Sequence, residues 1–126
     1  MMKQEKFSIT KRIKSFQYAF NGLKILWMEE HNARIHFLAS MVVVIAGFAF
    51  KVSLIEWTLL AFAMGFVIVT EIVNSSIENL ADFVEPQKNL HIKKAKDLAA
   101  AAVLISAVTA VVIGLIVFVP KVLGMI

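Results

Sequence analysis

Cysteine is absent from the 126 residues, which excludes disulfides, zinc–thiolate sites and thiol nucleophiles and leaves the redox compartment unread. Neither G-x-x-x-x-G-K-S/T nor G-x-G-x-x-G occurs, so any phosphate site must be built from helices and side chains rather than a glycine-rich cradle. The three histidines, His31, His36 and His91, lack ligand-like spacing. His36 is expected to be an interfacial hydrogen-bonding residue. Charge is missing over long stretches: no ionisable residue lies between Trp57 and Thr70 or between Leu98 and Val119. No internal repeat, low-complexity tract or second domain is evident, so one domain over residues 1–126 is expected.

What is present is apolar. Hydrophobic residues make up 60% of the chain and mean hydropathy is +0.80, beyond an ordinary soluble domain. Three runs are read as bilayer spans, 35–50, 57–81 and 98–119. The first is short, about 24 Å as a helix, and needs snorkelling by Arg34 and Lys51 or local thinning. The link from Lys51 to Glu56 forces an antiparallel pair, and Pro86 should break the chain after Asp82. The third span is expected to begin near Ala95-Lys96-Asp97. Its Ala99–Ala102 face is small enough for close helix approach.

Ahead of the spans, Ile9, Ile13, Phe16, Phe20, Leu23 and Trp27 recur at steps of four and three. This predicts an amphipathic helix over 8–30 lying on the membrane, with Lys11, Arg12 and Lys14 largely off its apolar stripe. Trp27 and Trp57 read as interfacial anchors. The fold class is therefore all-α membrane protein, three transmembrane helices plus an N-terminal surface helix.

Seven of the 13 Lys and Arg precede the first span and four lie between the second and third. The positive-inside rule then puts the N-terminus and that loop in the cytoplasm. No cleavable signal peptide is expected, because a basic polar segment precedes the first apolar run and no small-residue cleavage site follows. The formal charge of +4 suits anionic headgroups or a phosphate ligand, and no nucleic-acid partner is expected.

One polar cluster interrupts this pattern. Glu71, Asn74, Glu78 and Asp82 fall on one stripe of a helix, about 16 Å long. A charge near the bilayer centre costs roughly 2.5–3.5 kcal/mol on insertion scales, so aligned acids there mark a candidate active site. Glu71 is the deepest, and Asn74 is placed to hydrogen-bond either neighbouring carboxylate. Glu29-Glu30 and the basic loop ending in Lys96-Asp97 fall on the same side. Carboxylates beside basic residues at a cytoplasmic surface suit magnesium and a polyphosphate, since Mg2+ takes one or two carboxylates and completes its shell with water and phosphates. Phosphoryl transfer needs that metal, a cation on the phosphates and an aligned nucleophile.

The run Glu71-x-x-Asn74-Ser75-x-Ile77-Glu78-x-x-x-Asp82, followed by Ala95-Lys96-Asp97 with Ala101 and Val103, resembles the bacterial integral-membrane diacylglycerol kinase family, which includes undecaprenol kinases. The likeness runs upstream through Ser15-Phe16, Tyr18, Gly22-Leu23, Trp27, Glu30 and Asn32-Ala33-Arg34-Ile35-His36, the last resembling the undecaprenol-kinase branch. The resemblance implies a homotrimer with active sites at subunit boundaries, in a bacterial cytoplasmic (inner) membrane. It implies transfer of the ATP γ-phosphate to the primary hydroxyl of undecaprenol or diacylglycerol. By matching position, Glu71 is the general base touching the lipid, Glu30 and Glu78 hold magnesium with ATP, and Tyr18, Lys96 and Asp97 contact nucleotide, as does Lys11 or Arg12. Asp82 supports the site. Two departures stand out. In the loop Glu85-Pro86-Gln87-Lys88-Asn89-Leu90 relatives commonly carry a Pro-Glu-Tyr-His-like stretch, so Gln87, Lys88 and Asn89 are expected to act through their backbone. Ala100 stands at a substrate-contact position that is serine in some relatives. The competing reading is a small oligomeric ion or proton path along the acidic stripe, for which ATP is irrelevant.

Overall fold

The computed structural model describes residues 6–124, and these are almost wholly helical: α1 (Ile9–Glu29), α2 (His31–Ala49), α3 (Leu54–Val84) and α4 (Leu90–Gly124). The last three are long and apolar enough to cross a membrane. At 1.5 Å per residue α3 and α4 reach roughly 46 and 52 Å, well beyond a hydrocarbon core of about 30 Å. Their extra turns carry the acidic stripe and the basic segment past one edge of that core.

Each boundary has a local cause. Ser8 caps α1, its side chain accepting from the Lys11 amide. At the other end Arg34 donates from Nε to the Trp27 carbonyl and from Nη2 to the Met28 carbonyl, both at 2.7 Å, satisfying orphan carbonyls that a helix end leaves exposed. Arg34 therefore clamps the corner at Glu30 instead of snorkelling. The corner is tighter than expected, with α2 starting at His31, and its 19 residues give about 28 Å rather than 24.

The opposite turn is a Schellman motif. Lys51 sits at φ 53°, its amide bonds the Phe48 carbonyl at 3.3 Å, and the Val52 amide bonds the Gly47 carbonyl at 3.1 Å. Ser53 and Glu56 then form a capping box that starts α3. Glu56 also meets Lys121 of α4 at 3.0 Å. Here Val52, Leu60 and Val117 form the buried core, with Trp57, Met64 and Ile113 against it. Trp57 packs inward, tilted on Phe48 with ring centroids 5.0 Å apart. Its ring covers Gly47 so closely that a Cβ there would clash with it.

The long α3–α4 pairing is antiparallel and carries one polar rung, Thr70 Oγ1 to Ser106 Oγ at 2.7 Å. α3 ends at Val84, with Glu85 extended ahead of Pro86 as a residue before proline prefers. α4 starts at Leu90, earlier than the sequence suggested, because Asn89 Oδ1 accepts from the His91 and Ile92 amides and Lys93 pairs with Asp97 across one turn at 2.6 Å. It also runs through Pro120 to Gly124. Of the alanine run only Ala99 is buried; Ala100, Ala101 and Ala102 face outward, as do Phe48, Phe62 and Ile116.

Candidate active site

The α1–α2 corner brings Glu30 to α3, where Ser75 Oγ donates to its Oε1 at 3.0 Å. This bond spans 45 residues of sequence and rests on two local features: the Arg34 clamp that sets the corner and the helical phase that turns Ser75 inward. Glu71 lies one turn earlier on α3 and is only 2% exposed. Glu30 and Glu78 are both near enough to interact with its charge, as is His36. Glu30 from the corner and Glu78 from farther along α3 thus lie within electrostatic reach of Glu71, which is innermost, with Glu78 half-buried.

The site is left polar and incompletely paired. Glu71 Oε1 is sealed from solvent and receives no hydrogen bond, and the same holds for Asn74 Oδ1. A buried acceptor left this way costs about 1–3 kcal/mol. Asn74 therefore bridges neither Glu71 nor Glu78, contrary to expectation: its side chain makes no hydrogen bond to either, and its carbonyl oxygen is buried without a donor. His36 Nε2 stands 3.2 Å from Glu71 Oε1 but is misaligned for a hydrogen bond.

Beyond Glu78 the stripe meets α4. Lys96 Nζ forms an ion pair with Asp82 Oδ1, tying the end of α3 to the start of α4, and Lys93 holds Asp97. Both α4 residues expected to meet nucleotide are thus engaged by charged neighbours. Lys96, Asp97, Gln87, Lys88 and Asn89 line one cavity of about 530 Å3 under the α3–α4 loop. Asn89 has its side chain committed to capping α4 and Gln87 its amide to Glu85 Oε1. Lys11, Arg12 and Tyr18 lie exposed on α1, remote along the helix from Glu30. Ala100 is exposed on α4. Two residues of weight lie outside the site expected from the sequence, Arg34, read there as snorkelling, and His36, read there as interfacial; their neighbours are fixed only by the corner at Glu30.

Oxygen donors dominate the cluster, which suits a hard cation such as magnesium. Among the described residues no three His, Cys, Asp or Glu side chains converge as a self-sufficient metal site. Two carboxylates are enough where nucleotide phosphates and water complete the shell, so Glu30 and Glu78 fit that cation.

An all-helical membrane protein with a buried acid beside a polar, phosphate-compatible surface cluster is the class these features define. Residues 17–118 match the family model described as prokaryotic diacylglycerol kinase. The chain is 34% identical over 119 residues to an undecaprenol kinase of Bacillus subtilis (strain 168), covering 94% of this chain and 97% of that one. It is 40% identical over 96 residues to a diacylglycerol kinase of Helicobacter pylori (strain ATCC 700392 / 26695), covering 75% and 74%. A diacylglycerol kinase of Escherichia coli (strain K12) is 32% identical over 103 residues, covering 82% and 84%. The chain belongs to the prokaryotic diacylglycerol kinase family. It is a membrane lipid kinase, with ATP as co-substrate.

Proposed function

We propose that this kinase phosphorylates a polyprenol, giving undecaprenyl phosphate, with diacylglycerol as the second acceptor of the same site. The acceptor choice is supported by the Asn32–His36 segment and by the near full-length similarity to the Bacillus subtilis undecaprenol kinase. The observation that carries the mechanism is Glu71, a carboxylate 2% exposed on a membrane-length helix, with acids nearer the helix end. Glu71 accepts the proton of the lipid hydroxyl as that oxygen bonds to the γ-phosphorus of ATP; the bond between the γ-phosphorus and the bridging oxygen breaks and ADP leaves. Glu30, oriented by Ser75, and Glu78 would hold Mg2+, which would supply neutralisation of phosphate charge. Lys96 exchanges Asp82 for phosphate, and Asp97, Tyr18 and the loop 87–89 border the nucleotide. Ala100 borders the lipid.

Sites shared between subunits of a homotrimer follow from α1. Arg12 lies about 27 Å along the helix from Glu30, too far for one triphosphate to touch both within a chain, and Lys11 is farther still. The surface helix of a neighbouring copy supplies the missing cation. Chains carrying Glu71→Gln and chains carrying Lys11→Ala with Arg12→Ala, each impaired, should regain activity when mixed; no recovery would assign each site to one subunit. The distribution of basic residues supports an N-terminus on the cytoplasmic side of a bacterial inner membrane, where ATP is available.

The testing experiment is ATP- and magnesium-dependent phosphorylation by purified protein in vesicles, offering undecaprenol and diacylglycerol separately and together. Polyprenyl phosphate as the main product, lost on chelation and in Glu71→Gln, is expected. Phosphatidic acid as the main product would reverse the acceptor order. An ion path along the stripe leaves the Ala-Lys-Asp segment and Glu30 without a purpose, and no transfer to either lipid would be needed to revive it.

A further inference from the structure

His36 has no part in the mechanism above, yet among the described residues its ring is the basic group that stands within 4 Å of the buried carboxylate. Its Nε2 lies 3.2 Å from Glu71 Oε1, the very oxygen that is sealed from solvent without a donor. None of the other groups around Glu71 donates to it. Glu30, from the α1–α2 corner, and Glu78, farther along α3, are acids. Ser75 donates its hydroxyl hydrogen to Glu30, Asn74 makes no side-chain hydrogen bond to either acid and its Oδ1 is unpartnered, and on the α4 side Ser106 pairs with Thr70. His36 also borders an apolar cavity of about 250 Å3 between α2, α3 and α4, shared with Ala63, Val67, Ala107 and Gly114. The imidazole thus stands between that cavity and the acid.

We infer that His36 is a positioning residue for Glu71: a small ring rotation aligns its Nε2–H with Oε1 and fixes the carboxylate for proton transfer from the lipid hydroxyl. This role rests on the kinase reading above. Glutamine at 36 carries an N–H donor near the place of Nε2, whereas alanine carries none and asparagine falls short. Glu71 in turn needs the bond only while it is a carboxylate acting on the lipid, so ATP binding is untouched.

The test uses the full chain in vesicles with either lipid acceptor, and compares His36→Ala, His36→Asn and His36→Gln, alone and with Glu71→Gln. His36→Ala and His36→Asn are expected to lower kcat roughly 10- to 100-fold, the range of one hydrogen bond to a charged group, with KM for ATP changed less than about twofold. His36→Gln is expected to recover most of that loss, and His36→Ala should cost nothing further in the Glu71→Gln background. Wild-type kcat in His36→Ala, beside a Glu71→Gln lowered by about 10²–10⁴-fold, would overturn the proposal while leaving the kinase intact. So would His36→Gln falling as far as His36→Ala, or all three His36 variants melting earlier in step with lost activity, since each marks a packing role. No phosphate transfer by the wild type would overturn the kinase reading and this role with it.

Discussion

The two ends of the α3–α4 pair are built by opposite rules. Around Ser53 nearly every polar group has a partner: the Schellman turn satisfies the end of α2, the capping box starts α3, and Glu56 meets Lys121. Val52, Leu60 and Val117 close the core behind them. Around Glu71 the reverse holds. Acids from two elements crowd together, two buried oxygens lack donors, and the cations are parked on Asp82 and Asp97 rather than on the acids themselves. One end is satisfied and holds the helices in register; the other is unsatisfied and invites ligand. Buried polar groups without partners are costly, and a fold tolerates them where binding supplies the partner.

Substitutions separate the two ends, and the largest effect belongs to the site. Glu71→Gln should lower kcat by about 10²–10⁴-fold, as loss of a general base does, while thermal melting in detergent is retained; preserved transfer would remove Glu71 from the chemistry. Gly47→Ala at the other end should do the opposite. Its Cβ meets the Trp57 ring, and overpacking of this kind costs about 1–3 kcal/mol, read as a lower melting temperature with unchanged kcat in the folded fraction. Arg34→Gln sits between the cases: losing two carbonyl caps should cost on the order of 1–2 kcal/mol and also reduce activity, because the corner that presents Glu30 loosens. If melting falls and activity per folded protein does not, the corner is only structural.

Smaller effects sharpen the contrast. Ser53→Ala removes the cap and half of the capping box and should cost roughly 1 kcal/mol without touching catalysis. Lys51→Gly should stabilise by some tenths to about 1 kcal/mol, because glycine adopts the left-handed conformation without a Cβ penalty. A higher melting point with unaltered kcat is the expected result. A change in kcat from either substitution would show that the two ends are coupled along α3.

Much of this was legible beforehand. Hydrophobic runs gave three spans because length and charge exclusion are local properties, and the surface helix followed from the step pattern Ile9 to Trp27. The acids of the stripe were legible because helical phase alone aligns Glu71 with Glu78 and Asp82. Helix ends were less so. α2 begins at His31 rather than Ile35 because Arg34 folds back on α1, and α4 begins at Leu90 rather than near Ala95 because Asn89 caps it. Trp57 reads as an anchor by composition but is drawn inward by the space above Gly47.

The helical class, the number of apolar spans, the depth of Glu71 along α3 and the family are written in the order of residues, because periodicity, hydropathy and motif spacing are carried by consecutive positions. That Ser75 holds Glu30, that Lys96 holds Asp82 and that His36 stands beside Glu71 emerges only on folding. Those pairings join residues 45, 14 and 35 positions apart. Their geometry depends on the corner at Glu30 and the antiparallel register of α3 on α4, which no local pattern encodes.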